Sequence, residues 1–121
     1  MKLYGYRRCS TCRQALKTLQ ENGGEVEFHD MVENPPSEAT IREWVEKSHR
    51  PVFDFVNVKG TVYRERDLKS AKFTDDEWIR ELSQDGKLIK RPILVTGDDV
   101  FVGYHEGAYR RITLGEEESR A

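Results

Sequence analysis

Two cysteines, Cys9 and Cys12, are the only thiols in a chain of 121 residues, and they stand three positions apart in Arg8-Cys9-Ser10-Thr11-Cys12-Arg13. The spacing is Cys-x-x-Cys, set where a short apolar run hands over to an amphipathic pattern. A cysteine at a helix N-terminus meets unpaired backbone N–H groups and the positive end of the helix dipole, and both favour its thiolate. The pattern therefore predicts Cys9 as a nucleophile, with Cys12 one turn on and close enough to resolve a mixed disulfide. Arg8 and Arg13 give the pair an electropositive, partly exposed setting, which argues against two inert buried thiols. A structural zinc site would need further ligands, and His29, His49 and His105 lack the spacing of a zinc module. Neither a metal nor a bound cofactor is expected.

The rest of the composition limits the setting of this chemistry. Twenty basic and 22 acidic residues give a net charge of −2, so no nucleic-acid footprint is present and direct nucleic-acid binding is not expected. The start, Met1-Lys2-Leu3-Tyr4-Gly5-Tyr6, has no long apolar core, and no stretch is long enough to cross a bilayer. The expectation is a soluble, cytoplasmic, monomeric protein forming a single domain over residues 1–121. In that compartment a cysteine pair reads as catalytic or redox-sensing rather than as a structural staple.

The elements that must position the thiols follow from pattern and punctuation. Residues 2 to 6 read as an interior strand, and Ser10 or Thr11 as the cap of a helix whose apolar side is Ala15, Leu16 and Leu19. Asn22-Gly23-Gly24 stops it. Glu25 to Asp30 alternates, with Val26 and Phe28 on one side, and completes a strand–helix–strand unit. After Glu33-Asn34-Pro35-Pro36, Ser37 opens a helix over about 38–48 with Ile41, Trp44 and Val45 as its stripe, ended by His49-Arg50-Pro51. Val52 to Val56 reads as a helical turn or an extended packing segment, and Asn57 to Thr61 as a loop. Tyr63 to Leu68 is helical, and Thr74 or Asp75 caps a further helix carrying Trp78, Ile79 and Leu82. Ile93 to Thr96 and Val100 to Tyr104 form a hairpin about Gly97-Asp98-Asp99, and Glu106 to Ile112 a last helix. The tail from Gly115 to Ala121 reads as polar and frayed.

This order predicts an α/β fold: a small mixed sheet with helices on its faces, the first and third strands parallel neighbours and the hairpin at the antiparallel edge. The loop after the first strand and the residue before the third then share one end of the sheet, which places Pro92 beside Cys9. A cis Arg91–Pro92 bond is expected there, turning backbone polar groups toward the sulfur. Arg91 is aimed at the site by its place before Pro92. Tyr104 and Tyr109, read as outward, and Arg110-Arg111 are the candidates for an interaction surface.

Five stretches carry a family resemblance: Tyr4-x-x-x-x-Cys9-Ser10-Thr11-Cys12-Arg13, Glu33-Asn34-Pro35-Pro36, Phe73-Thr74-Asp75-Asp76-Glu77, Arg91-Pro92-Ile93-Leu94-Val95 and Val102-Gly103-Tyr104. In order and spacing they resemble the glutaredoxin-coupled arsenate reductase and Spx-like family. The resemblance implies a thioredoxin-like, mixed four-stranded sheet with a helical insertion over about 37–86. It matches Cys9 to the nucleophile that attacks arsenate, Arg91 to the arginine before the proline and Arg13 to the arginine four residues after the nucleophile, with glutathione as co-substrate and glutaredoxin or thioredoxin as electron donor. Two arginines of the reductases fall instead on Asn57 and on Phe101 or Val102. Lys59 aligns with a basic residue of the Spx-like branch, and Cys12 matches that branch's disulfide-forming partner. Spx-like regulators bind the alpha subunit of RNA polymerase, so the alternative to an arsenate reductase-like enzyme is a redox-sensing regulator or adaptor, and the sequence reads as a short member between the two branches.

Overall fold

The computed structural model describes residues 1–113; the expected tail lies outside the described residues. Nine regular elements follow one another: β1 (Lys2–Gly5), α1 (Ser10–Glu21), β2 (Glu27–Asp30), α2 (Glu38–Ser48), α3 (Thr61–Glu65), α4 (Asp75–Gln84), β3 (Ile93–Thr96), β4 (Asp99–Val102) and α5 (Glu106–Thr113). Short 3-10 turns at Val52–Phe55, Leu68–Ser70 and Gly86–Leu88 join the helices of the middle third. The strands form one sheet in the order β2-β1-β3-β4.

β1 pairs parallel with β2 but antiparallel with β3, with Leu3 opposite Leu94 and Tyr4 opposite Ile93. The expectation of parallel first and third strands is therefore corrected. The correction also supplies the reason the expected juxtaposition survives. Only an antiparallel neighbour brings the start of β3, and with it Pro92, to the end of β1 from which the Cys9 loop departs. A parallel β3 would have carried Pro92 to the opposite end of the sheet.

Strand alternation divides the sheet into two cores. Leu3 and Leu94 point to one face, where Ala15 and Leu19 of α1 and Tyr109 and Ile112 of α5 bury them. Ile93 and Val102 point to the other, against Ile41 and Trp44 of α2 and Ile79 and Leu82 of α4. Each fully buried Leu or Ile adds about 1.5–3 kcal/mol over leaving it in water, so this period-2 pattern fixes which helix covers which face. Helix starts are set by local caps: Ser37 Oγ accepts the Thr40 N–H, and Thr74 with Glu77 forms a complete capping box. No helix among the described residues is long and apolar enough to cross a membrane.

The helical insertion is closed at its base. Val56 bridges Ile89, the Asn57 N–H donates to the Leu88 carbonyl at 2.8 Å, and the Lys90 N–H donates to the Phe55 carbonyl at 2.8 Å. The loop after Val56 is thereby held against the segment leading to Arg91. Gly86 seats this base on the end of β2, where a Cβ would come within 1.8 Å of the Met31 carbonyl oxygen.

Candidate active site

The helix that carries the thiols is capped by one of them. Cys9, in extended backbone, is the N-cap of α1, and its Sγ accepts the Cys12 N–H at 3.4 Å. Neither Ser10 nor Thr11 takes that position, as the sequence had suggested. The sulfur does the work of a capping oxygen, and no acidic residue in the first turn competes with it for the dipole. Cys9 is half-buried and Cys12 fully buried, and both are free thiols. The expected partial exposure holds for Cys9 alone.

The two thiols are shifted in opposite directions. Burial alone would raise the Cys9 thiol. The Cys12 thiol and N–H, the Arg91 charge and the Thr11 N–H outweigh it, so the Cys9 pKa falls below the ordinary thiol value. Cys12 is pushed up to about 12, first by burial and then by donating its S–H to Cys9 and sitting beside that sulfur's charge. The thiolate form is favoured at Cys9 and disfavoured at Cys12.

Cys12 can come this close because Gly5 lacks a side chain: a Cβ there would stand 2.7 Å from the Cys12 Sγ. The loop between Gly5 and Cys9 is tied down by Asp30 at the end of β2. Its buried carboxylate accepts the N–H groups of Val32 at 2.8 Å, Glu33 at 3.1 Å and Arg7 at 3.3 Å, with the Arg7 Nε 3.6 Å away. Burial opposes the charge of Asp30, but the three N–H donors and Arg7 win, and its pKa is lowered. The Cys9 N–H in turn donates to the Tyr6 carbonyl at 3.0 Å.

From the third strand comes the other wall. The Arg91–Pro92 bond is cis, as expected. Pro92 is held by the Gly103 N–H, which donates to its carbonyl at 2.8 Å, and Gly103 is held by the Tyr109 hydroxyl, which donates to the Gly103 carbonyl at 2.9 Å. Gly103 has φ +86°, a backbone that side chains resist. Tyr109 is thus fully buried, not outward, and Tyr104 is half-buried with its hydroxyl 2.6 Å from Thr18 Oγ1. Neither offers the interaction surface the sequence suggested.

Arg91 Cζ lies 5.5 Å from the Tyr6 ring centroid, and its Nη1 is buried with no hydrogen-bond partner among the described residues. It borders a basin of about 530 Å³ lined by Tyr6, Asn57, Lys59, Thr61, Lys87 and Arg91. The insertion base brings Asn57 and Lys59 to Lys87, whose Nζ stands 6.0 Å from the same Tyr6 ring. Of the residues predicted from sequence, the structure brings together Cys9, Cys12, Arg91, Pro92 and Lys59. Of the other two arginines, Arg8 is exposed, and Arg13 borders a second depression that it shares with Arg7, Cys12, Leu16 and Phe28. Phe101 and Val102 pack into the two cores and add no charge. Tyr6, Lys87, Gly5 and Asp30 were missed. A carboxylate closing a strand ahead of a turn was a legible signal for Asp30, whereas nothing local marks Lys87. Among the described residues no group of three or more His, Cys, Asp or Glu side chains stands ready to hold a metal ion.

A cysteine that caps a helix and a cis-proline at the same end of a mixed sheet are also found in known proteins. The model of the ArsC family matches residues 4–112. The chain belongs to the ArsC family. Its fold is accordingly the thioredoxin-like sheet with a helical insertion. Among solved structures it is similar to an ArsC family related protein from Bacteroides fragilis, with 35% identity, a TM-score of 0.86, and 92% of this chain and 95% of that one covered. YusI of Bacillus subtilis is 38% identical over 90% of this chain and 94% of its own. An arsenate reductase of Acidiphilium multivorum is 32% identical over 78% of this chain and 67% of its own.

Proposed function

We propose that this ArsC-family protein is a thiol oxidoreductase in which Cys9 is the nucleophile and Cys12 the resolving cysteine. The observation that carries the reading is the unequal pair: a half-exposed Cys9 sulfur stabilised as thiolate by the α1 N-terminus and Arg91, in contact with a buried, protonated Cys12.

In the first step the Cys9 thiolate attacks one sulfur of a substrate disulfide, a new S–S bond forms, and the other sulfur leaves as thiolate and takes a proton from water. Cys9 then carries no charge. Two of the causes that kept Cys12 protonated, its bond to the Cys9 thiolate and that charge, vanish together, while the Tyr6 N–H and Arg91 still favour an anion. Cys12 loses its proton and attacks Cys9 Sγ, the bound thiolate departs and takes up that proton, and the protein holds a Cys9–Cys12 disulfide. Two electrons have moved from the dithiol to the substrate. With arsenate, Cys9 displaces water to give a thiol–arsenate adduct, and attack by Cys12 releases arsenite with the same disulfide. Glutathione, or a glutaredoxin- or thioredoxin-type donor, returns the two electrons.

The test is turnover of arsenate and of a model disulfide, with glutathione and glutaredoxin present, by the wild type, Cys9→Ser and Cys12→Ser. The expected pattern is activity in the wild type, none in Cys9→Ser, and an accumulating one-to-one mixed disulfide on Cys12→Ser seen by mass spectrometry. A wild-type Cys9 that reacts with neither substrate defeats the proposal. A disulfide that forms once with oxidant and never turns over would favour the Spx-like regulatory reading, to be followed by capture of RNA polymerase alpha subunit.

A further inference from the structure

The charge of this chain is unevenly spread. The first 20 residues hold five basic side chains, Lys2, Arg7, Arg8, Arg13 and Lys17, and no acidic one, so they carry +5 in a chain whose net charge is −2. Elsewhere, Arg42 is paired with Asp76, Arg50 with Asp54, Arg66 with Glu81 and Arg110 with Glu106. Arg8, Arg13 and Lys17 are exposed and form no ion pair among the described residues. Arg13 and Lys17, four positions apart on α1, share one side of that helix.

Beside them lies the second depression. It encloses about 410 Å³ and is bounded by α1, the edge strand β2 and the loop that leads to Cys9. Half-buried Leu16 and Phe28 with buried Cys12 give it an apolar floor, exposed Arg7 and Arg13 complete it, and no carboxylate is among its lining residues. Leu16 and Phe28 belong to the core on the α1 and α5 face, so the depression lies on the other side of the sheet from the insertion. A concave apolar floor beside unpaired cations suits one apolar side chain on a segment that also carries acids. A phosphate backbone would use the cations and leave the floor uncovered, and a flat membrane surface would not enter the concavity.

We infer that this face is a docking surface for an acidic segment of another protein, which sets one large apolar side chain over Leu16 and Phe28 while its carboxylates meet Arg7, Arg13 and Lys17. Arg7 can take part without leaving Asp30: its Nε faces that carboxylate at 3.6 Å, 70% of its side chain is exposed, and a guanidinium has further N–H groups to donate. The inference concerns binding alone and holds whether or not Cys9 turns over.

The experiment titrates the full-length protein into a labelled peptide with glutamates on both sides of a single leucine and follows fluorescence anisotropy. Companion peptides replace the leucine by serine or the glutamates by lysines, and an oligothymidylate supplies phosphate charge. The acidic peptide should bind, the serine version about tenfold more weakly, and the lysine version should not bind. Arg13→Glu should weaken binding by about tenfold and Lys17→Glu by about threefold. Lys72→Glu, the same change of charge at an exposed position of the insertion, should leave it unaltered. Added salt should weaken it, as screening requires. Equal losses from Arg13→Glu and Lys72→Glu would report overall charge and overturn the surface. An acidic peptide that does not bind, or one whose leucine is dispensable, overturns it too. Oligothymidylate bound more tightly than the peptide, and released by Arg13→Glu, would overturn the inference by giving the face to nucleic acid.

Discussion

The two faces of the sheet reach the same site by different routes. On the α1 and α5 face, the thiols come from one continuous stretch, and their geometry follows from a helix cap and a glycine: Cys9 caps α1 and Gly5 makes room for Cys12. On the insertion face, Lys59 and Lys87 are far apart in sequence and meet only because Val56 bridges Ile89. The difference separates a local arrangement from a long-range one. The thiol geometry is set by neighbours in sequence and leaves little room for change, whereas the basin is assembled from distant segments and can vary without disturbing the sulfurs.

The strongest challenge to that division is Cys9→Ser, which should cost about a thousandfold or more in disulfide turnover, as loss of an activated nucleophile does. A comparable loss from any single basin variant would erase the distinction. Next comes Gly5→Ala. The added Cβ meets the buried Cys12 sulfur at 2.7 Å, and overpacking of this kind costs about 1–3 kcal/mol, read by urea denaturation. Gly60→Ala meets the Asn57 side-chain amide at 2.6 Å, which can swing away, so its cost should be the smaller of the two. Tyr109→Phe leaves the Gly103 carbonyl without its 2.9 Å donor and should destabilise by about 1–3 kcal/mol, with Cys9 alkylation slowed as the Pro92 wall loosens.

The pH dependence sharpens the comparison with smaller effects. The lowered Cys9 pKa predicts iodoacetamide alkylation with a midpoint below the ordinary thiol value, and Arg91→Gln should move it upward, because one of the charges favouring the thiolate is gone. Cys12 has the opposite sign. Its folded pKa is raised from 9.0 to about 12, so unfolding becomes easier as pH climbs from about 9 toward 12, where only the unfolded chain releases this proton. The stabilising thiolate term of Cys9, in contrast, is present at high pH and is lost as pH falls through its folded value. Thermal melts of Cys9→Ser and Cys12→Ser across this range separate the two.

Legibility followed the same local-to-distant gradient. Cys-x-x-Cys, a cap at Thr74 or Asp75 and the hairpin about Gly97 are statements about neighbours in sequence, and each was readable, the structure choosing Thr74 and adding Glu77 to complete a capping box. The orientation of β3 was not. A strand reached through an insertion of several helices can return in either direction, and the hydrophobic pattern of Ile93 to Thr96 is identical for both. Tyr109 was misread for a related reason: in a short polar helix its ring resembles a surface aromatic until the partners of its hydroxyl are known. Arg8 and Arg13 are both exposed, and they differ in what the structure puts beside them: Arg13 shares a depression with Cys12, whereas closeness in sequence to Cys9 is the only signal that singled out Arg8.

The strands at the two borders of the sheet carry one more consequence. β2 and β4 are four residues each, with Glu27, His29 and Asp30 on the first and Asp99 at the start of the second. A protein that forms mixed disulfides spends part of each cycle covalently leashed to another molecule, at effective concentrations that reach the millimolar range. Long apolar borders would use that enforced proximity to zip strand to strand and begin an aggregate. Borders this short, one opening on the exposed Glu27 and the other on Asp99, give such a leashed partner little edge to pair with before it is released.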